Sequence, residues 1–505
     1  MPPQIATVLF AVGIAGLFWL DRDSSARTSK ALWLPVIWLW LSGSRPPSAW
    51  LGMNMTEIPG QPPPTSTLDE LLAASLMLLG VMVMLRRRRD LMVMLRASWP
   101  IVLYFAYCLL SLIGSDYPAW GLKRWVRALG DVIMVLVVVT DAQPTAALRR
   151  LLSRVGFVLL PASVLLIRYY PWIGQGFDPW GGSRAFLGVT TNKNILGVLV
   201  QVVTLGTLWQ VIVLLRDKTQ PKRKRRLLAQ GILLYFGLSL LMTAHSATCE
   251  ACFALGAGLM LLIARPFFAA RPAAVHALVL TMVLAGGLTL LFGGQAEVAE
   301  SLGRDPSLTG RTELWKQVIP MAPNMISGAG FETFWVGPRV ARFYAMRGGL
   351  NMTNEAHNGY IEVYLNLGWL GVCLIALILV HGYRKAARAF RRDPALGALL
   401  LAYIVTAAIY NITEAGFRML GLPWLFLLLA IVAASRIISL GRTAPESDRE
   451  SDRPPGSPGV LDLDDWTGLG DPRAIEKTAA LRRTAIRGTR EGIVARKGIL
   501  TVQVG

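Results

Sequence analysis

The sequence predicts an all-α polytopic membrane protein, and three observations carry that prediction. Charged residues make up 16% of the 505-residue chain and hydrophobic residues 53%; mean hydropathy is +0.47. A soluble chain carries about a quarter charged residues. The apolar residues also fall in long runs rather than at soluble-core spacing, as in Thr281–Phe292, Ala395–Tyr410 and Leu420–Leu440. In lipid such runs close their backbone hydrogen bonds as helices. Finally, Trp33, Trp38, Trp40, Trp120, Trp125, Tyr169, Tyr170 and Trp172 gather near the ends of runs, where amphipathic rings prefer the membrane–water boundary.

In chain order the predicted spans begin with Ile5–Leu20. It lacks a basic leader and a small-residue cleavage site and reads as a retained span. Ala31–Leu41 is short and Trp-rich, a Pro-rich connector follows, and Leu68–Leu85 ends at the basic run Arg86–Arg89. Pro100–Ile113, then Leu129–Val139 behind the basic Lys123, Arg124 and Arg127, then Leu151–Ile167, bring the chain to a polar Gly-rich loop, Arg168–Lys193. Asn194–Leu215 ends in a second basic run, Arg216–Arg226. Leu227–Met242, Ala247–Ile263 and Ala273–Phe292 precede the long loop Gly293–Gly359. Ile361–Val380 ends in a third basic run from Arg384 to Arg392, and Ala395–Tyr410 and Leu420–Leu440 close the membrane part.

The basic runs test that count. Four spans separate the first from the second and four the second from the third. Even numbers return the chain to one side, which positive-inside bias makes cytoplasmic. The expectation is therefore 12–13 spans within residues 1–440, with loops 168–193 and 293–359 together on the outer, periplasmic side. The net charge of +20 reads as this orientation signal, with membrane lipids as partners and no nucleic acid. Residues 441–505 are nearly balanced in charge and rich in Pro and Ser over Ser447–Pro458, so a largely disordered cytoplasmic tail is expected, with weak helical patterning over Ile475–Ile499. All four cysteines fall in apolar segments, and Cys249–Cys252 has no second pair, so no metal or redox site is expected there.

Chemistry is sought where polar sequence interrupts this apolar background. The first outer loop holds Arg184, near Gly181, Gly182 and Gly188, and runs to Asn192–Asn194. The second holds Arg311 beside Gly310, then Gly328 and Gly330, then Arg339 and Arg342, and ends in NEAHNGY, Asn354–Tyr360. Guanidinium gives planar, permanently charged binding to phosphate oxygens, and neighbouring glycines let a ligand approach. His357 is one of four histidines and stands at the mouth of a span, where it fits a general base as well as a helix-capping residue. Glu414, in the short outer turn after Asn411, and Glu250 and His245, near the outer end of the ninth span, are ionisable groups at membrane depth. No paired-carboxylate motif stands out in the outer loops. That pattern points to metal-free chemistry, without cofactors, on a phosphate-bearing substrate. A transporter is the reading from another class, but neither a file of ionisable residues nor paired broken helices is apparent.

Three blocks then carry a resemblance. GGSRAFLGVTTNKNILG at 181–197, GRTELW at 310–315 with a later GAGF at 328–331, and NEAHNGYIEVYLNLGWLG at 354–371 resemble the O-antigen ligase and polymerase superfamily in order and in side of the membrane. The resemblance spans about Leu68–Leu440, and Ser115–Pro118 resembles the exopolysaccharide-polymerase branch. It implies a glycosyltransferase C-type helical bundle in a bacterial inner membrane. It also implies a donor glycan on polyprenyl diphosphate and an acceptor that is lipid A-core for a ligase, the first expectation, or a growing glycan for a polymerase. Arg184 and Arg311 would hold the diphosphate, and His357 would activate or orient the acceptor hydroxyl. Asn194, Arg339, Arg342, Asn358, Glu414 and His245 would line the substrate. Many members open the ninth span with Ser-Arg; this chain has Ala244–Thr248 without arginine, and His245 is the substitute.

Overall fold

The thirteen apolar runs are helical over most of their described length in the computed structural model, which describes residues 1–23, 26–53, 65–178, 183–269, 271–291, 308–346, 354–443, 459–460, 494–496 and 499–502. The helices are α1 (Pro3–Leu20), α2 (Trp33–Ser42), α3 (Thr67–Arg86), α4 (Arg88–Ala97), α5 (Trp99–Leu110), α6 (Pro118–Val139), α7 (Pro144–Tyr169), α8 (Lys193–Arg216), α9 (Arg223–Ala244), α10 (Ala247–Ile263), α11 (Pro272–Leu291), α12 (Leu308–Val318), α13 (Pro338–Met346), α14 (Gly359–Arg392), α15 (Pro394–Thr413) and α16 (Leu422–Thr443). Among the described residues eight helices are long and apolar enough to cross a membrane. Lys30–Ser42, Ala247–Ile263 and Ala273–Ala285 are shorter apolar helices. The chain is an all-α polytopic membrane protein.

Side-chain caps start the helices that matter for the site. Asn192 accepts from the Ile195 amide to open α8, Asn358 from the amides of Tyr360 and Ile361 to open α14, and Asp393 from Leu396 to open α15, behind Pro394. Each satisfies amides that have no partner within the helix. The core gathers around the late helices: in α15 and α16, 83% of the apolar window is buried, against 11% in α1. So α8, α15 and α16 are held by protein on most sides, α14 on about half of its surface, while α1 faces outward.

Two spans depart from straight rods. The expected span Pro100–Ile113 is one helical stretch, Trp99–Gly114, and α4, not itself an expected span, joins it at a bend of 85°. Ser98 lies between them and Pro100 in the first turn of α5, which suits a helix start better than a helix interior. The second departure lies inside Ile361–Val380. Gly368 has φ 62° and breaks α14, and the outer loop fills the break. The carbonyls of Leu365 and Asn366 accept from the amides of Ala329 and Gly330, that of Leu367 accepts from the Tyr107 hydroxyl, and the amides of Trp369 and Leu370 donate to Met325 and Ile326. Broken backbone at membrane depth is tolerated only when it is satisfied in this way. A Cβ on Gly368 would lie 2.2 Å from the backbone of Ile326, and one on Gly328 (φ 69°) would lie 2.4 Å from that of Asn366. The close approach therefore requires glycine on both sides.

Loop 168–193 contains a two-stranded antiparallel hairpin, β1 (Gln175–Asp178) and β2 (Ser183–Phe186), with Phe177 opposite Arg184. The sequence reading has no strand there. Residues Leu440–Gly505 form a second unit, described by itself. Beyond the end of α16 its described residues are three short antiparallel strands, β3 (Gly459–Val460), β4 (Val494–Arg496) and β5 (Ile499–Val502), in the order β3-β5-β4. The helical pattern read over Ile475–Ile499 is strand wherever it is described; the rest, like most of the expected disordered tail, lies outside the described residues.

Candidate active site

The N-terminal ends of α8, α12 and α14 and the C-terminal end of α15 meet around one carboxylate. Glu414 follows α15 directly and its side chain is 6% exposed. Its Oε1 lies 3.0 Å from a guanidinium nitrogen of Arg311 and accepts from Asn194 Nδ2 at 3.3 Å. Its Oε2 lies 3.5 Å from Nδ1 of His357. A second guanidinium nitrogen of Arg311 donates to the Thr413 carbonyl. His357 Nδ1 also lies 3.0 Å from Oε1 of Glu355, whose other oxygen is 3.1 Å from Arg418. The chain thus brings together Arg311, His357, Glu414 and Asn194, all expected from sequence, and adds Glu355 and Arg418.

Local structure explains why these groups hold their places. The backbone at His357 is left-handed, φ 48°, which costs energy for a residue other than glycine. It is clamped from the preceding residue: the Ala356 amide donates to Oε2 of Glu362 and its carbonyl accepts from Trp315 Nε1, both at 2.8 Å. The tryptophan of GRTELW therefore fixes the turn that aims the histidine. Asn358 caps α14 with Oδ1 and donates from Nδ2 to the Ile412 carbonyl, tying the same turn to the end of α15. Gly359 packs so tightly that a Cβ would stand 1.8 Å from Oδ1 of Asn411. That oxygen accepts from Gly416 and Phe417 at 2.8 Å each and shapes the turn that carries Glu414 and Arg418.

The electrostatics follow. Burial alone would lower the pKa of His357, but its hydrogen bonds and charge attraction with Glu355 and Glu414 raise it to about 9, so the ring is an imidazolium at neutral pH. Burial alone would raise Glu355, yet His357 and Arg418 hold it at about 2. Burial would likewise lower Arg418, and the charges of Glu332, Glu362 and Glu355 instead raise it above its ordinary range. Three cations, Arg311, His357 and Arg418, contact Glu355 and Glu414, and Glu332 and Glu362 add negative charge beside Arg418. A ligand phosphate can compete with Glu414 for the part-exposed Arg311, whose planar guanidinium suits phosphate oxygens. Glu355, His357 and Glu414 also offer ligand atoms within 4.8 Å of one another, a spacing that can hold a metal ion. Both carboxylates already engage guanidiniums, so a cation entering there would compete with Arg311 and Arg418.

Residues 231–378 match the O-antigen ligase family model. Arg311 and His357 lie inside the match; Glu414, Arg418, Asn194 and Arg184 lie outside it. The chain is also similar to the exopolysaccharide production protein ExoQ of Rhizobium meliloti (strain 1021), at 27% identity over 315 residues, covering 58% of this chain and 68% of that protein. A ligase- or polymerase-like glycan function is the level at which these matches agree.

The other expected site residues sit elsewhere. Arg184 is exposed on β2, and among the described residues no ion pair or hydrogen bond joins it to the cluster. Arg339 pairs with Asp116 at 3.2 Å and lies over the Phe334 ring, so the Ser115–Pro118 motif docks on the long loop, helped by Ser115 Oγ at 3.0 Å from Thr333 Oγ1. Arg342 is exposed and reaches the Pro338 carbonyl of its own helix. His245 ends α9 with φ 49° and packs its exposed ring against Phe186, at the base of the hairpin. Arg418 was missed because it lies in a short turn between two apolar runs. Its signal was the four-residue spacing from Glu414 in a turn already assigned to the outer side.

Proposed function

We propose that this chain is an inner-membrane glycosyltransferase that moves a glycan from polyprenyl diphosphate to an acceptor hydroxyl on the periplasmic face. The observation that supports it is the convergence of Arg311, His357 and Arg418 on a pair of carboxylates at the outer ends of the helices. α8 and α14 run from this cluster to the basic stretches at Arg216 and Arg384–Arg392, so the cluster lies at the ends opposite the cytoplasmic markers.

In this reading the acceptor oxygen bonds to the anomeric carbon as the bond from that carbon to the phosphate oxygen breaks. The bonding pair leaves with the diphosphate, and the configuration inverts. Negative charge grows on the leaving oxygens, and cations already in place favour that state over the bound substrate. Arg311 exchanges Glu414 for the diphosphate, which frees one Glu414 oxygen to accept the proton of the acceptor hydroxyl. His357 is charged at rest and acts as a cation and hydrogen-bond donor that orients the substrates. The guanidiniums and the imidazolium supply the charge that a divalent metal supplies elsewhere. Arg184, on the exposed hairpin, is a further diphosphate contact for the donor, with Arg339, Arg342, Asn358 and His245 as outer contacts.

Between acceptors, the similarity to an exopolysaccharide production protein favours a growing glycan, which is polymerisation; the O-antigen ligase match favours transfer to lipid A-core. A deletion strain separates them. Single repeat units on the carrier are the expected accumulation; long carrier-linked polymer with unmodified core would indicate the ligase, and an unchanged glycan profile would refute both. Purified protein is expected to keep its transferase activity in EDTA. Complete loss restored by magnesium would overturn the metal-free mechanism and make Glu355, His357 and Glu414 the ligands to test.

A further inference from the structure

A second polar site lies at the opposite end of α14. A cleft of about 190 Å³ opens between that end and the segment leading into α11, and Arg384, Arg388 and Arg391 line it. Their spacing of four and then three residues puts them on one helical face. All three are exposed, and among the described residues none forms an ion pair. The apolar lining comes from Phe268 and Val275 on the facing segment and from Phe390 of α14 itself. His276 and Tyr383 close one side and hydrogen-bond to each other. The apolar part of α14 ends at Val380, one turn before the first of these arginines, so the cleft stands where a span meets the headgroup layer. A small soluble anion has no use for the aromatic wall, and an uncharged lipid has none for three guanidiniums.

We propose that this cleft binds the phosphate headgroup of an anionic phospholipid from the leaflet on the basic side, with its glycerol and upper acyl chain against Phe268 and Val275. The proposal is independent of the glycosyltransferase reading, since none of these residues belongs to the outer cluster. Basic clusters beside a span each gain severalfold in affinity per charge from anionic lipid. The unmatched arginines thereby acquire counter-charge without a protein carboxylate.

The test uses the full chain in nanodiscs of phosphatidylcholine with or without phosphatidylglycerol, read by thermal unfolding and by lipid adducts in native mass spectrometry. Wild type is expected to retain phosphatidylglycerol in preference to phosphatidylcholine. R384Q/R388Q/R391Q should lose that preference by roughly fivefold for each arginine removed. R384K/R388K/R391K, which keeps the charge, should retain most of it and so shows that the loss is not misfolding. The matched control R86Q/R88Q/R89Q, on the first basic run, should leave it nearly unchanged. An equal loss in the control, no preference in wild type, or complete displacement of the lipid by millimolar inorganic phosphate would overturn the proposal.

Discussion

The two ends of α14 carry similar numbers of cations and treat them differently. At the outer end Arg311, Arg418 and His357 each touch a carboxylate, and Glu414 and Glu355 link the three into one network. At the inner end Arg384, Arg388 and Arg391 share a face with no carboxylate partner among the described residues. Cations held in a partly buried setting need matched anions before any ligand arrives, or their desolvation goes uncompensated. Cations at a headgroup layer need none, because water and lipid supply the counter-charge. A matched cluster whose ion pairs a charged ligand can exchange with is suited to binding and releasing a charged substrate. An unmatched row is suited to standing still in a membrane.

The largest expected effect would come from breaking the outer network. Arg311→Ala or His357→Ala should cut glycan transfer by at least about a hundredfold, the scale of losing one pre-placed charge contact to a transition state, while the protein stays in the membrane at normal amounts. In vitro transfer and immunoblotting of membranes check both halves; normal surface glycan in both variants would sink the assignment. Neutralising any one arginine at the inner end should leave the transfer rate within about twofold.

Glu414→Gln removes the shared anion and leaves Arg311 and His357 facing each other across a neutral amide. Loss of one partner from a buried pair costs several kcal/mol, and partial exposure of the cations here reduces that to about 2 kcal/mol. A fall in melting temperature in detergent, with weaker transfer, is expected. An unchanged melting temperature would mean that Glu414 does not hold the cluster together.

The smallest effect is in pH dependence. His357 has a raised pKa, from 6.5 to about 9, so its stabilising contribution is full below pH 6.5 and is lost as pH rises through about 9. Glu355 has a lowered one, from 4.5 to about 2, so its contribution is present above pH 4.5 and is lost as pH falls through about 2. The outer network is therefore expected to weaken above pH 9. Transfer should fall over the same range if the imidazolium is the working form. A rate that rises through pH 9 would instead make His357 the proton acceptor. His357→Ala should flatten the high-pH limb in either case.

Much of this was legible in the sequence, because apolar length is a one-dimensional signal. The thirteen runs and the basic runs between them needed no knowledge of packing. Arg311, His357 and Glu414 were legible by residue type and by their place in polar stretches at the ends of apolar runs. Their meeting was not, since it depends on the Trp315 and Glu362 clamp on Ala356 and on the seat that Asn411 makes for Gly359. The break at Gly368 was hidden for a related reason. One glycine in an apolar run usually continues a helix, and the hydrogen bonds that stabilise this break come from residues about forty positions earlier. The bend at Ser98 was half visible, because Pro100 marks a helix start without saying where the previous helix points. The pairing of Arg339 with Asp116 was hidden because the two are remote in sequence.

The broken helix has a consequence for motion. The stretch from Met325 to Gly330 reads as an outer loop, yet its amides and carbonyls complete the hydrogen bonding of α14 on both sides of Gly368. It is a wedge seated in the helix rather than a strap lying over it. The amides of Ala329 and Gly330 should therefore exchange with deuterium as slowly as those of the span they complete, and release together with it. The segment therefore moves with the helix it completes and does not act as a flap on its own.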